Sequence, residues 1–77
     1  MSEVTIYTTP TCVYCNMAKE FFKKNNVEYK QIDVSTDSEK AQEMFTKSGQ
    51  FGVPVIDIDG KIIIGFDKES IKEALGI

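Results

Sequence analysis

TPTCVYCNMA, residues 9–18, sets two thiols three positions apart, behind a proline and ahead of a run with helical spacing. Upstream, Val4-Thr5-Ile6-Tyr7 is β-branched and aromatic, which predicts a first strand from Glu3 to Thr8, ending where Pro10 removes a backbone donor and fixes φ. Downstream, Met17, Ala18, Phe21 and Phe22 recur at helical spacing, with Asn16, Lys19, Glu20, Lys23 and Lys24 on the other face. Thr11 is the expected N-cap, and Asn25-Asn26 the expected stop. Read this way, the stretch is a strand-to-helix turn. The alternating segment Val27–Val34 then becomes a second strand, parallel to the first and joined to it by a right-handed crossover.

The remaining elements follow from local signals. Thr36 and Glu39 have capping-box spacing ahead of Ala41, Met44 and Phe45, which predicts a second helix ending at Gly49. After the loop Gln50–Pro54, Val55–Ile58 reads as a strand, Asp59-Gly60 as a two-residue hairpin turn and Lys61–Ile64 as the antiparallel partner. Gly65-Phe66 bends the chain, and Asp67 caps a last helix, Lys68–Leu75, which turns Ile71, Ala74 and Leu75 inward and stops at Gly76. The expected order is β-α-β-α-β-β-α. It is an α/β fold with a four-stranded mixed sheet, three helices on its two faces and a single domain over residues 1–77.

Composition narrows the function. Nine scattered lysines, no arginine, no histidine and twelve carboxylates give a net charge of −3, which argues against the basic stripe that nucleic acid requires. The longest apolar run, Ile62-Ile63-Ile64, falls far short of the roughly 20 residues of a spanning helix. The start MSEVTIYTT lacks a basic, then apolar, secretory leader. A cytoplasmic protein is expected, and in a reducing compartment two cysteines point to catalysis or metal binding rather than to a structural disulfide.

The position of the thiols points to chemistry. Cys12 falls beyond the carboxyl end of a parallel strand, where open α/β sheets place ligands. At a helix start, unpaired N–H groups and the positive end of the macrodipole both favour thiolate over thiol. Cys15 lies one turn deeper on the same helix face, within reach of Cys12. Cys12 is therefore the expected attacking thiolate, and Cys15 the thiol that resolves the mixed disulfide. Inert packing is the weaker alternative, because Pro10, Thr11 and Tyr14 mark an exposed turn. Zinc needs four ligands, and two thiols without histidine do not supply them. A two-coordinate copper(I) carrier remains an alternative of another class, although such carriers resemble an order that ends in a strand.

Tyr7-Thr8, Thr11, Cys12-Val13-Tyr14-Cys15, Val53-Pro54 and Gly65-Phe66-Asp67 together resemble a short bacterial glutaredoxin, and the resemblance spans essentially the whole chain. It implies a thioredoxin-like fold with a cis Pro54 facing the thiols. It also implies a glutathione-dependent thiol–disulfide oxidoreductase, monomeric and without a bound cofactor, that reduces protein disulfides and glutathione mixed disulfides. Carried onto this chain, Thr11 and Tyr14 would line the glutathione groove beside the nucleophile, with Gln50 near the glycyl end. Val53 would pair its backbone with the cysteinyl unit, ahead of Pro54. Gly65, Phe66 and Asp67 would form the γ-glutamyl end, the Asp67 carboxylate meeting the ammonium.

Three positions depart from the family pattern: Thr9 where many members have lysine, Gln50 where an arginine is common, and Gly52 where a threonine precedes Val-Pro. A related group, hydrogen donors for ribonucleotide reductase that take electrons from thioredoxin reductase, is the alternative, and Gly65-Phe66 resembles its sequence at the same bend. A dimer bridging an iron–sulfur cluster through Cys12 is a further, lesser possibility. Phe21, Phe22 and Phe45 are expected in the core, and Phe51 either at the core edge or against a partner.

Overall fold

A computed structural model describes residues 3–77, in which the chain runs β1 (Val4–Thr8), α1 (Val13–Lys24), β2 (Lys30–Asp33), α2 (Ser38–Ser48), β3 (Val55–Ile58), β4 (Lys61–Ile64) and α3 (Lys68–Leu75). The order is the one the sequence predicts. The sheet is arranged β2-β1-β3-β4, with β1 parallel to β2 and antiparallel to β3, and β3 antiparallel to β4. Tyr7 is thus paired with Ile32 on one side and Val55 on the other.

Strand alternation divides the apolar residues between two layers. Val4, Ile6, Ile56, Ile58 and Ile63 join Ala18 and Phe22 of α1 and Ile71 of α3 on one face. Tyr7 and Val55 meet Met44 of α2 on the other. Phe22 anchors the larger layer: it is fully buried and packs against Tyr29, with ring centroids 5.4 Å apart. Burying such a side chain stabilises the fold by about 1.5–3 kcal/mol, a large share for a domain of this size.

The hairpin turn is as expected. Asp59 and Gly60 both have positive φ, 52° and 90°, the conformation that a two-residue turn needs to match the twist of its strands. Asp57 accepts a hydrogen bond from the Gly60 N–H at 2.8 Å. Gly49 and Gly76 end their helices in the left-handed conformation, and Asn25 and Asn26 end α1.

Two expected caps move by one residue. Cys12, not Thr11, is the N-cap of α1, its sulfur accepting the Cys15 N–H at 3.1 Å, while Thr11 is exposed. Asp37, not Thr36, caps α2, its carboxylate accepting the Glu39 and Lys40 N–H groups, each at 3.1 Å. An anionic oxygen complements the positive helix end better than a hydroxyl does. The second strand is also shorter than its alternation suggests, spanning Lys30–Asp33, with Val27 packed on the core before it begins. Of the apolar residues assigned to helix faces, Phe45 and Met17 are exposed. Each helix has one sheet to cover, and a narrow stripe does so.

A polar clamp ties α2 to the sheet. The Tyr7 hydroxyl donates to Glu43, and the Lys47 ammonium donates to that hydroxyl at 2.9 Å and to Asp57 at 2.8 Å. The same ammonium sits 5.3 Å from the centroid of the Tyr7 ring. Hydrogen bonds to Asp57 and Tyr7 push the Lys47 pKa up, and burial together with the Glu43 hydrogen bond raises that of Tyr7. Both folded-state values therefore lie above those of the unfolded chain. As pH rises past about 10, the unfolded chain releases these protons first, and stability falls. Urea unfolding at pH 8 and pH 10.5 is expected to show a lower midpoint at the higher pH. In Lys47→Met the loss on going from pH 8 to 10.5 should be smaller, and the variant should be less stable at pH 8 by about 1 kcal/mol, the modest value of a partly exposed pair.

Candidate functional site

The site forms where β1 runs into α1. The Cys12 N–H donates to the Thr9 carbonyl at 3.3 Å, which closes the turn, and α1 starts at Val13. Both cysteines are free thiols: Cys12 is half-buried and Cys15 fully buried. Cys15 is the first residue of α1 to face the sheet, followed at helical spacing by Ala18 and Phe22. The unequal exposure of the two sulfurs is thus a result of helix phase.

Cys12 is held from two sides. Its sulfur accepts the Cys15 N–H at 3.1 Å, and its S–H donates toward the Val53 carbonyl at 3.8 Å. The sulfur thus sits at a helix N-cap with a backbone donor on it, in a chain without arginine or histidine. The Cys15 thiol is pushed up, first by burial and then by the neighbouring Cys12 thiol, while the nearby Thr8 hydroxyl and Thr9 backbone oppose the rise; that hydroxyl donates to the Thr9 carbonyl at 3.3 Å. Cys15 therefore remains protonated when Cys12 attacks. Thr8 was missed in the sequence; it is the only buried polar residue among those described, and its alternation with Val4 and Ile6 was the signal that aims it at α1.

The other expected site residues lie as follows. The Val53–Pro54 peptide bond is cis, as the resemblance implies, and Pro54 is buried directly before β3. Val53 is half-buried, with its carbonyl at Cys12. Tyr14 is 62% exposed, on the first turn of α1. Gly65 has a φ of 77°, and its N–H donates to the Pro54 carbonyl at 2.8 Å, which ties the bend before α3 to the Pro54 strand. Phe66 is half-buried against Phe21.

Asp67 is the N-cap of α3: one oxygen accepts the Ser70 N–H at 3.3 Å and the other the Ser70 hydroxyl at 2.8 Å. Those bonds hold its carboxyl below the usual range, so it is anionic at neutral pH. Each oxygen keeps a further lone pair for a cationic ligand.

Gln50 is engaged within its own loop. Its amide closes on Gly52, accepting the Gly52 N–H at 2.6 Å and donating to the Gly52 carbonyl at 3.0 Å. A Cβ at position 52 would stand 2.5 Å from the Gln50 oxygen, so the glycine is what lets this side chain fold back. Phe51 belongs to neither expected setting alone. It is 59% exposed and stacks on Phe45, with centroids 4.5 Å apart and planes at 15°. Among the described residues, no group of three or more His, Cys, Asp or Glu side chains converges to hold a metal, and no helix is long and apolar enough to cross a membrane.

A reachable sulfur capping a helix, with a second thiol buried one turn behind it, defines a thiol–disulfide oxidoreductase built on the thioredoxin-like fold. The glutaredoxin family model matches residues 4–63, and the chain belongs to the glutaredoxin family. It is 43% identical over 72 residues to an uncharacterized glutaredoxin-like 8.6 kDa protein in the rubredoxin operon of Clostridium pasteurianum, covering 94% of this chain and 96% of that one. It is 36% identical over 76 residues to glutaredoxin 3 of Escherichia coli K12, covering 99% and 92%. Among solved structures, a T8A variant of the thioredoxin-like protein BC3987 superposes with a TM-score of 0.91 at 32% identity, covering 100% of this chain and 99% of that one.

Two substitutions separate the roles of the thiols. Cys12→Ser should abolish reduction of a small mixed disulfide, whereas Cys15→Ser should still attack it and accumulate a mixed disulfide visible by mass spectrometry. Thr8→Val removes the hydroxyl that opposes the rise of Cys15. Stopped-flow kinetics at pH 7 should show resolution slowed, with the first attack unchanged.

Proposed function

We propose that this protein is a dithiol glutaredoxin that uses glutathione as co-substrate and reduces protein disulfides and glutathionylated proteins, acting as a monomer in the cytoplasm. The observation that carries the reading is the Val53 backbone against the Cys12 sulfur, with two further features in support. The Val53 backbone stands 3.8 Å from Cys12, and the anionic Asp67 opens α3. The bend between Asp67 and β4 is bonded back to Pro54. An extended γ-glutamyl-cysteinyl-glycine can add to the Val53 edge as a short strand. Its γ-glutamyl ammonium then meets the Asp67 carboxylate, and its carboxylate meets the N–H groups at the α3 start. Thr11 and Tyr14 flank the reacting sulfur.

The reaction follows from the two thiols. The Cys12 thiolate attacks a protein disulfide and releases one thiol. Cys15 then displaces the second thiol, leaving a Cys12–Cys15 disulfide, and two electrons have passed to the substrate. Two glutathione molecules restore the dithiol, becoming glutathione disulfide. For a glutathionylated protein, Cys12 takes the glutathionyl group and a second glutathione releases it.

A second reading has its own observation. Gln50 is engaged by Gly52, Thr9 carries no charge and the chain has no arginine, so the glycyl carboxylate lacks the cations that would fix it. A protein reduced instead by thioredoxin reductase, as hydrogen donor to ribonucleotide reductase, needs no such cations.

Recycling distinguishes the two. The oxidised protein should be reduced by glutathione with glutathione reductase, and Asp67→Asn, which keeps the cap but loses the charge, should raise KM for a glutathione mixed disulfide about tenfold, the worth of one charge-assisted bond. Recycling by thioredoxin reductase alone, with Asp67→Asn unaffected, would establish the second reading.

A further inference from the structure

A groove of about 630 Å³ runs between α1 and the start of α3, outside the thiol pair. Its floor is apolar, made by Met17, Phe21 and Phe66, and the two rings meet edge to face with centroids 6.0 Å apart. Lys23, Lys24 and Lys68 rim it, and the Lys68 ammonium lies 5.8 Å from the Phe21 ring centroid. Glu20 is the sole acid among the lining residues. Three ammonium groups against one carboxylate make this wall cationic, on a chain whose net charge is −3.

The groove begins at Met17, on the second turn of the helix that Cys12 caps. Residues 13, 17, 21 and 24 follow the i, i+4, i+8, i+11 spacing that keeps them on one stripe of α1. Val13, between the two cysteines, is 68% exposed at the head of that stripe, and Met17 is 44% exposed one turn on. At 1.5 Å per residue, Phe21 lies about 14 Å and Lys24 about 18 Å along the axis from Cys12. An extended polypeptide covers about 3.4 Å per residue, so four or five residues span the distance.

We propose that this groove docks the polypeptide flanking the reactive cysteine of a protein substrate. It selects a segment with an apolar side chain about four residues from that cysteine and acidic side chains just beyond. The apolar side chain covers Met17, Phe21 and Phe66, and the carboxylates face the lysines. The charge match acts chiefly on the association rate and is screened by salt. The inference rests on Cys12 as the attacking thiol and not on which reductant recycles the protein.

The test is a single turnover of the reduced protein, which needs no reductase. Two synthetic peptides carry one cysteine as its mixed disulfide with 2-mercaptoethanol. They differ only in having Phe-Asp-Asp or Phe-Lys-Lys four to six residues away on both sides. Cys12 attacks the peptide sulfur and expels 2-mercaptoethanol, then Cys15 releases the peptide thiol. The second-order rate constant is expected to favour the acidic peptide by about tenfold at low salt, with the preference lost near about 0.5 M salt.

The double variant Lys23→Glu/Lys24→Glu should lose or reverse the preference while reducing the symmetric disulfide of 2-mercaptoethanol at the original rate. Equal rates for the two peptides would overturn the proposal. So would self-association abolished by the same variant without any peptide preference, which would assign the groove to a second copy of the chain. Failure with the symmetric disulfide as well would instead count against Cys12 as the attacking thiol.

Discussion

The structure depends on β1 being paired along both edges. Among the described residues it is the only strand with a parallel neighbour on one side and an antiparallel neighbour on the other, so its backbone groups are satisfied within the sheet and both its faces are covered. Its alternation then distributes the molecule: Val4, Ile6 and Thr8 point to the layer of α1 and α3, while Tyr7 points to α2. Because β1 is central, the turn that follows it emerges in the middle of the sheet edge, beside the residues that lead into β3. That is why Cys12 and Val53, 41 positions apart, meet.

Electrostatics at the site come from the backbone more than from side chains. With no arginine or histidine, the chain surrounds Cys12 with a helix start, one N–H donor and one carbonyl, and separates it from a buried partner thiol. The charged side chains are used elsewhere. Lys47, Glu43, Asp57 and Tyr7 fasten α2 to the sheet on the opposite face, bracketing the segment that carries Gln50–Pro54. Lys23, Lys24 and Lys68 gather along α1 and α3, away from the sulfur.

Much of this was legible in the residues. The element order, the Asp59-Gly60 turn and the Gly49, Gly76 and Asp67 helix ends follow from local conformational rules that few tertiary contacts override. The Cys12–Cys15 pair was legible because the i, i+3 spacing puts the second thiol one turn deeper, but its capping role was not, since Thr11 beside it was an equally competent cap and the structure uses the Cys12 sulfur. Other features were not. Thr36 and Asp37 are adjacent and both competent, and which one caps depends on where α2 docks. Phe45 has core spacing, yet it stacks on Phe51 at the surface, because the width of the buried stripe is set by the sheet beneath it. The fold-back of Gln50 onto Gly52 joins two departures from the family pattern that looked independent in the sequence.

By itself the sequence determined the periodicities, the turns and the chemical identity of a dithiol at a helix start, since these follow from short-range sterics and from the spacing of apolar residues. Only the tertiary structure decided the strand order β2-β1-β3-β4, the clamp around Lys47 and the grouping of residues from α1 and the β4–α3 bend into one groove. Those features join residues tens of positions apart, and nothing local fixes which distant strands pair or which helices share a face. They are set by burying both faces of one central strand at once.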